Sequence, residues 1–155
     1  MRKRIIAAGC VLALCLSIGV QKNVNAAEEN IIDGSRLTHQ EESVGYAEKN
    51  AKGQYLLAVY SKCVKMKDGK LYAGGTTIAT QNVEDIHVSV MIERAQKGDT
   101  AWRYYDSWEK TNHNIDRVGS NRALAVEGGY YYRVRSLHSA NSDVSSSFTD
   151  GIYIE

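Results

Sequence analysis

From Gln54 onward, apolar and polar residues form short runs with a period of two, separated by turn residues, which is the pattern of an all-β domain. Ile86, Val88, Val90 and Ile92 alternate with His87, Ser89, Met91 and Glu93, the clearest such run in the chain. Before it, Tyr55 to Met66 predicts a strand closed by Lys67-Asp68-Gly69, whose Asp-Gly pair favours a hairpin turn. Leu71 to Thr80 predicts the next strand, with Gly74-Gly75 marking a bulge or a close backbone approach. After the Lys97-Gly98-Asp99 turn, Trp102, Tyr104, Asp106 and Trp108 alternate with Arg103, Tyr105 and Ser107. Thr111 to Ser120 reads as a polar loop and Ala123 to Val126 as a short strand. Gly128-Gly129 then turns the chain into Tyr130 to Ser136, the most strand-like run, with Tyr130, Tyr132 and Val134 on one face and Tyr131, Arg133 and Arg135 on the other. Ser139 to Ser147 reads as a small-residue loop, and Phe148 to Ile154 as a last strand with Ile152 and Ile154 on one face. About seven strands joined by hairpins predict an antiparallel two-sheet β-sandwich.

The chain before Gln54 follows other rules. Arg2, Lys3 and Arg4 precede an apolar run, Ile5 to Val20, that is short for a membrane span and reads as a signal peptide. Val24 and Ala26 suit the peptidase pocket, so cleavage is expected after Ala26, with cleavage after Ala27 or an uncleaved anchor as alternatives. Leu14 is too bulky before Cys15, and cutting before Cys10 leaves almost no apolar region, which argues against a lipoprotein. Residues 27–52 are polar and hold neither period; they predict an arm on the domain, with Gly34 to Thr38 as a short edge strand or turn and Gln40 to Lys52 as a helical stretch. The expected organisation is a signal peptide over 1–26, the arm over 27–52 and a single β-sandwich domain over 53–155.

Removing residues 1–26 changes the charge and the cysteine count. Arg2, Lys3, Arg4 and Lys22 leave with no acid, so 15 basic groups face 18 acidic ones, a formal charge near −3 against +1 for the whole chain. Without a basic run there is no electrostatic case for nucleic acid or for an anionic membrane as partner. Cys63 is then the single thiol, which excludes an intramolecular disulfide; in its apolar strand it reads as a small buried hydrophobe, with a nucleophilic or intermolecular role as the alternative.

Reactive motifs are sparse. His39, His87, His113 and His138 are dispersed and lack the spacing of a zinc site. No calcium loop, Gly-x-Ser-x-Gly elbow or phosphate-cradling glycine loop occurs, and no cofactor is implied. Trp102 and Tyr104 are expected in the core, as large aromatics usually are. Trp108 near the strand end, with Tyr105 and Tyr131 facing outward, is a candidate aromatic patch for sugar stacking or a protein partner. Arg133 and Arg135 either pair across strands with acids such as Glu93, for roughly 0.2 to 1 kcal/mol, or grip an anionic glycan or carboxylate. The candidate binding surface is therefore Tyr105, Trp108, Tyr131, Arg133 and Arg135, and His138 reads as a structural histidine with a pH-responsive contact as the lesser alternative.

Four segments carry a resemblance: Asp33-Gly34-Ser35-Arg36-Leu37-Thr38, the aromatic strand Trp102 to Trp108, Gly129 to Arg135 with His138-Ser139-Ala140, and Thr149-Asp150-Gly151-Ile152-Tyr153-Ile154. Together they resemble a family of small secreted proteins of Gram-positive bacteria that has no assigned function. The likeness spans nearly the whole chain after the signal peptide; it implies secretion and a β-sandwich and carries over no catalytic residue. Tyr130 to Ser147 also resembles the penultimate strand region of fibronectin type III and immunoglobulin-like domains, where a tyrosine pins a corner, which implies architecture alone.

These readings favour a non-enzymatic extracellular binding or interaction module whose ligand is a cell-wall polymer, a glycan or a protein. A secreted toxin or competition factor, and a small secreted hydrolase built from scattered residues, are the alternatives. Any surface attachment is expected to be noncovalent, because a chain without proline lacks the usual sorting signal.

Overall fold

The computed structural model describes residues 30–47 and 53–155. The expected signal peptide and its cleavage after Ala26 lie outside the described residues, as do 27–29 and 48–52 of the arm. Nine strands and no helix make up the described chain: β1 (Ile31–Ile32), β2 (Ser35–Thr38), β3 (Glu42–Tyr46), β4 (Leu56–Lys65), β5 (Lys70–Ala95), β6 (Arg103–Ala125), β7 (Tyr130–Ala140), β8 (Asp143–Phe148) and β9 (Gly151–Ile154).

β5 is the spine. Leu71 to Thr80 and Ile86 to Ile92, read as two strands, are one 26-residue strand. One edge of β5 pairs with β6, while the other pairs with β4 in its first half and with β7 in its second. The pairing with β6 shifts between Ile78↔Arg117 and Val83↔Ile115, so β5 carries extra residues there and bends. Thr77 Oγ1 consequently donates to the carbonyl of His87 at 2.8 Å. Ten residues of straight strand span about 33 Å, so this bond requires β5 to fold back on itself.

The bend curls the sheet until β4 meets β7 and β8. At the contact, Ser61 Oγ lies 2.8 Å from Ser136 Oγ and 2.7 Å from Ser147 Oγ, all buried. Gly75 permits this approach: a Cβ there would lie 2.5 Å from Ser136 Oγ and 2.9 Å from Val88 Cγ2. The close backbone approach expected at Gly74-Gly75 is thus present. Ile86, Val88, Val90, Ile92, Tyr132, Val134, Ile152 and Ile154 fill the core at 1% exposure or less, as their alternation predicts.

The pairing differs from the expected pair of antiparallel sheets. All nine strands join one curled sheet, in the order β1-β2-β9-β7-β5-β4-β3, with β6 on β5 and β8 on β7. The sheet is mixed, because β2 pairs with β9 in parallel. Where a helical stretch was expected over Gln40 to Lys52, Glu42–Tyr46 is strand, paired with β4 through Ser43↔Cys63 and its neighbours; tertiary pairing overrides weak local preference. The polar stretch Thr111 to Ser120 is not a loop but the middle of β6, whose polar side chains stand in solvent while its backbone bonds to β5. Ser139 to Ser147 is likewise the β7–β8 hairpin, turning at Asn141 with φ of 48°. The Asp68-Gly69 hairpin turn forms as predicted, with φ of 60° and 67°. The Tyr132 hydroxyl donates to the carbonyl of Glu127, five residues upstream, at 2.8 Å.

Candidate functional site

Strand register decides where each predicted site residue lies. Ile92 pairs with Asp106 but Glu93 with Tyr104, so β6 holds one extra residue, Tyr105. A one-residue slip moves every later side chain to the other face. Trp102 and Trp108, an even number apart and expected on one face, are therefore split. Trp108 packs in the core at 8% exposure beside Val90, with Arg122 over its ring at 4.8 Å. Tyr104, expected in the core, is 62% exposed. Tyr105 is half-buried, edge-on to Tyr132 at 5.4 Å. Neither Trp108 nor Tyr105 offers the outward aromatic patch expected of them.

Arg133 is the larger correction. Its side chain has no exposed surface, although its alternation with Tyr132 and Val134 predicts an outward position. At this position β7 is covered on both faces, because the β1–β2 turn and Trp102 lie over Arg133 on its odd-numbered side. Arg133 Nε donates to Glu93 at 2.7 Å, Nη1 to the carbonyl of Asp33 at 3.0 Å and to Ser35 Oγ at 2.9 Å, and Nη2 to the Asp33 carboxylate at 2.8 Å. The guanidinium stacks on Trp102 at 4.7 Å, and the Trp102 indole N–H donates to the carbonyl of Ile32 at 2.8 Å. The hydrogen bond from Arg133 holds the Asp33 carboxyl below its ordinary pKa. Arg135, 37% exposed, also donates to Asp33 and ion-pairs with Glu93 at 3.5 Å. Both arginines thus have internal carboxylate partners. The cross-strand pair Arg133–Glu93 forms as predicted.

Tyr131 belongs to an arrangement the sequence did not reveal. Tyr131 pairs with Tyr153 across β7 and β9, and Thr38 pairs with Ile152 across β2 and β9. The residue after Thr38, His39, therefore falls beside Tyr153. Three rings line up across neighbouring strands, with centroids 5.0 Å apart for Tyr131–Tyr153 and 4.9 Å for His39–Tyr153. Tyr131 Oη lies 3.3 Å from His39 Nε2. Ala95 of β5 is the partner of Tyr131 on the other side, so the turn that follows it brings Gln96 and Lys97 to the row. The result is an open groove of about 490 Å³ lined by His39, Gln96, Lys97, Gly129, Tyr131 and Tyr153. Tyr131 is itself 7% exposed, so most of the accessible ring surface comes from Tyr153 and His39. One signal for Tyr153 was present in the sequence: it alternates with Ile152 and Ile154, which face the core.

On the same face of β7, four residues along, a second concavity of about 360 Å³ is lined by Asp33, Gly34, Arg135, Leu137, Ser146 and Phe148. Arg133 lies between the two, beneath the β1–β2 turn and Trp102.

A chain of hydroxyls and one imidazole crosses the interior. His138 Nε2 lies 2.8 Å from Ser147 Oγ, and Nδ1 lies 2.9 Å from Thr77 Oγ1. The order resembles nucleophile, base and orienting group, but His138 and Thr77 are fully buried and Ser147 is 1% exposed, so no substrate reaches the hydroxyl. Burial, and secondarily the charge of His87, lowers the His138 pKa to about 4. This is the structural histidine that the sequence suggested. Cys63 is fully buried as well, and burial pushes its thiol up to about 12, which disfavours the nucleophilic thiolate. Among the described residues, no three His, Cys, Asp or Glu side chains gather to hold a metal ion.

Comparison of the chain with family models, with curated proteins and with solved structures gave no match.

Proposed function

We propose that the protein is a secreted, non-enzymatic binding module that contacts an extracellular ligand through the Tyr131–Tyr153–His39 row. The observation that carries this reading is the row itself: three rings held side by side by strand register, with His39 and Tyr153 reaching solvent over a buried Tyr131 and an ammonium and an amide at one end. Aromatic faces flanked by a few polar groups suit ligands with one apolar face and several hydroxyls. Among a cell-wall polymer, a glycan and a protein, the row favours a saccharide.

The same reading takes residues 1–26 as a cleaved signal peptide and places the chain with the small secreted Gram-positive proteins it resembles. It also takes the bent β5–β6 ribbon as the spine of an immunoglobulin-like, two-layer sandwich, with the Ser61–Ser136–Ser147 contact as its interlayer seam and Tyr132 as its corner. Nucleic acid and membrane are not proposed as partners, because the chain after Ala26 is weakly acidic.

Co-sedimentation of the chain from Ala27 to Glu155 with washed Gram-positive cell walls tests the proposal. Saturable pelleting that Tyr153→Ala reduces, in a variant whose urea transition shows a folded domain, is the expected result. Soluble protein with every wall would count against it.

A further inference from the structure

The charge around the groove is one-sided. Lys97 belongs to its lining, and no carboxylate among the described residues does. Asp99, the acid of the same turn, is already engaged: it accepts from the Gln96 backbone N–H at 2.9 Å and lies 3.7 Å from Arg103. The Lys97 ammonium has no ion-pair partner among the described residues. This stands against a chain whose acids outnumber its bases after Ala26, and against the neighbouring cluster, where Arg133 and Arg135 are matched by Asp33 and Glu93. A cation with no ion-pair partner beside a ring platform, in a groove without acids among the described residues, is set for a ligand that brings its own negative charge.

We infer that the groove selects saccharides that carry an anionic substituent, a carboxylate or a phosphate, over their neutral counterparts. The inference rests on the saccharide-binding reading above and adds the ligand class. A sugar ring lies against Tyr153 and His39, and its acidic substituent points to Lys97 at the β5 end of the row. Gln96 is placed to donate or accept at a neighbouring hydroxyl. Charge-assisted hydrogen bonds are roughly twice as strong as neutral ones, so Lys97 supplies discrimination while the rings supply contact area.

Calorimetric titration of the chain from Ala27 to Glu155 tests this with two matched pairs of probes: trigalacturonate against its methyl ester, and phosphorylated maltotriose against maltotriose. The expected result is that at least one acidic member binds about tenfold more tightly than its neutral partner, a preference that added salt weakens. Lys97→Gln is expected to remove the preference for the acidic member of each pair, while Tyr153→Ala weakens acidic and neutral probes together and keeps their ratio. Comparison of the two acidic probes distinguishes carboxylate from phosphate. Equal affinity for acidic and neutral probes, or an acid preference that survives Lys97→Gln, overturns the inference and leaves saccharide binding standing. Absence of binding to all four probes overturns it too, and wall co-sedimentation then decides whether the broader reading falls with it.

Discussion

Arg133 donates its Nε–H to Glu93 across 2.7 Å, with the guanidinium fully buried and the carboxylate side chain only 12% exposed. Removing one member of a buried pair leaves a charge uncompensated, which typically costs 3–5 kcal/mol. Asp33, which also holds Arg133, is 63% exposed and softens the loss. Glu93→Ala is therefore expected to destabilise the domain by about 3 kcal/mol in urea unfolding. The double variant Glu93→Leu/Arg133→Met, which removes both charges, is expected to recover most of that loss.

His138 makes stability depend on pH. Its pKa falls from 6.5 to about 4 on folding, because burial and then His87 disfavour the charged ring. The unfolded chain therefore binds a proton between these values that the folded chain refuses. Its contribution is fully present above about pH 6.5, declines as pH falls, and is lost near pH 4, a change of about 3 kcal/mol. Unfolding free energies measured from pH 7 to pH 4 are expected to show this slope, and His138→Gln to flatten it in that window.

Gly75 is set by the approach of β7 rather than by a turn. A methyl group there meets Ser136 and Val88, so Gly75→Ala is expected to cost about 2 kcal/mol by overpacking. Gly98, by contrast, has open space but a φ of 93°, and Gly98→Ala is expected to cost about 1 kcal/mol from left-handed strain. Thermal unfolding of the two variants separates the causes.

β6 pairs only with β5, so its outer edge has no strand partner among the described residues. Exposed edges template aggregation unless charge blocks them, and Glu109, Lys110, Asp116 and Arg117 are exposed along this one. Replacing Lys110 and Asp116 together with threonine is expected to raise self-association, read as an increase in light scattering at fixed concentration, with little change in the urea midpoint.

The readable parts of the fold were those where local pattern and tertiary demand agree. Ile86 to Ile92 alternates and is buried as it alternates, and Asp68-Gly69 turns because its residue types favour that turn. Ser139 to Ser147 reads as a loop because small polar residues carry no strand signal, yet Ser147 is small and polar because it meets Ser61 and His138 inside the sheet. The burial of Arg133 was hidden because its cover, Asp33 and Ser35, lies about a hundred residues away. The split of Trp102 from Trp108 depends on a single extra residue in β6, which no alternation can announce. At the groove, Tyr131 was visible as a candidate, while His39 and Tyr153 became neighbours only through the parallel β2–β9 pairing.

The central claim is that ligand contact occurs on the ring row, and amide and side-chain chemical-shift mapping by NMR tests it most directly. The isotope-labelled chain from Ala27 to Glu155 is titrated with solubilised cell-wall saccharide fragments. The account predicts saturable shifts concentrated at His39, Gln96, Lys97, Tyr131 and Tyr153, with the β6 edge unmoved. Shifts confined to β6 or to the β7–β8 hairpin, or none at saturating fragment, would contradict it.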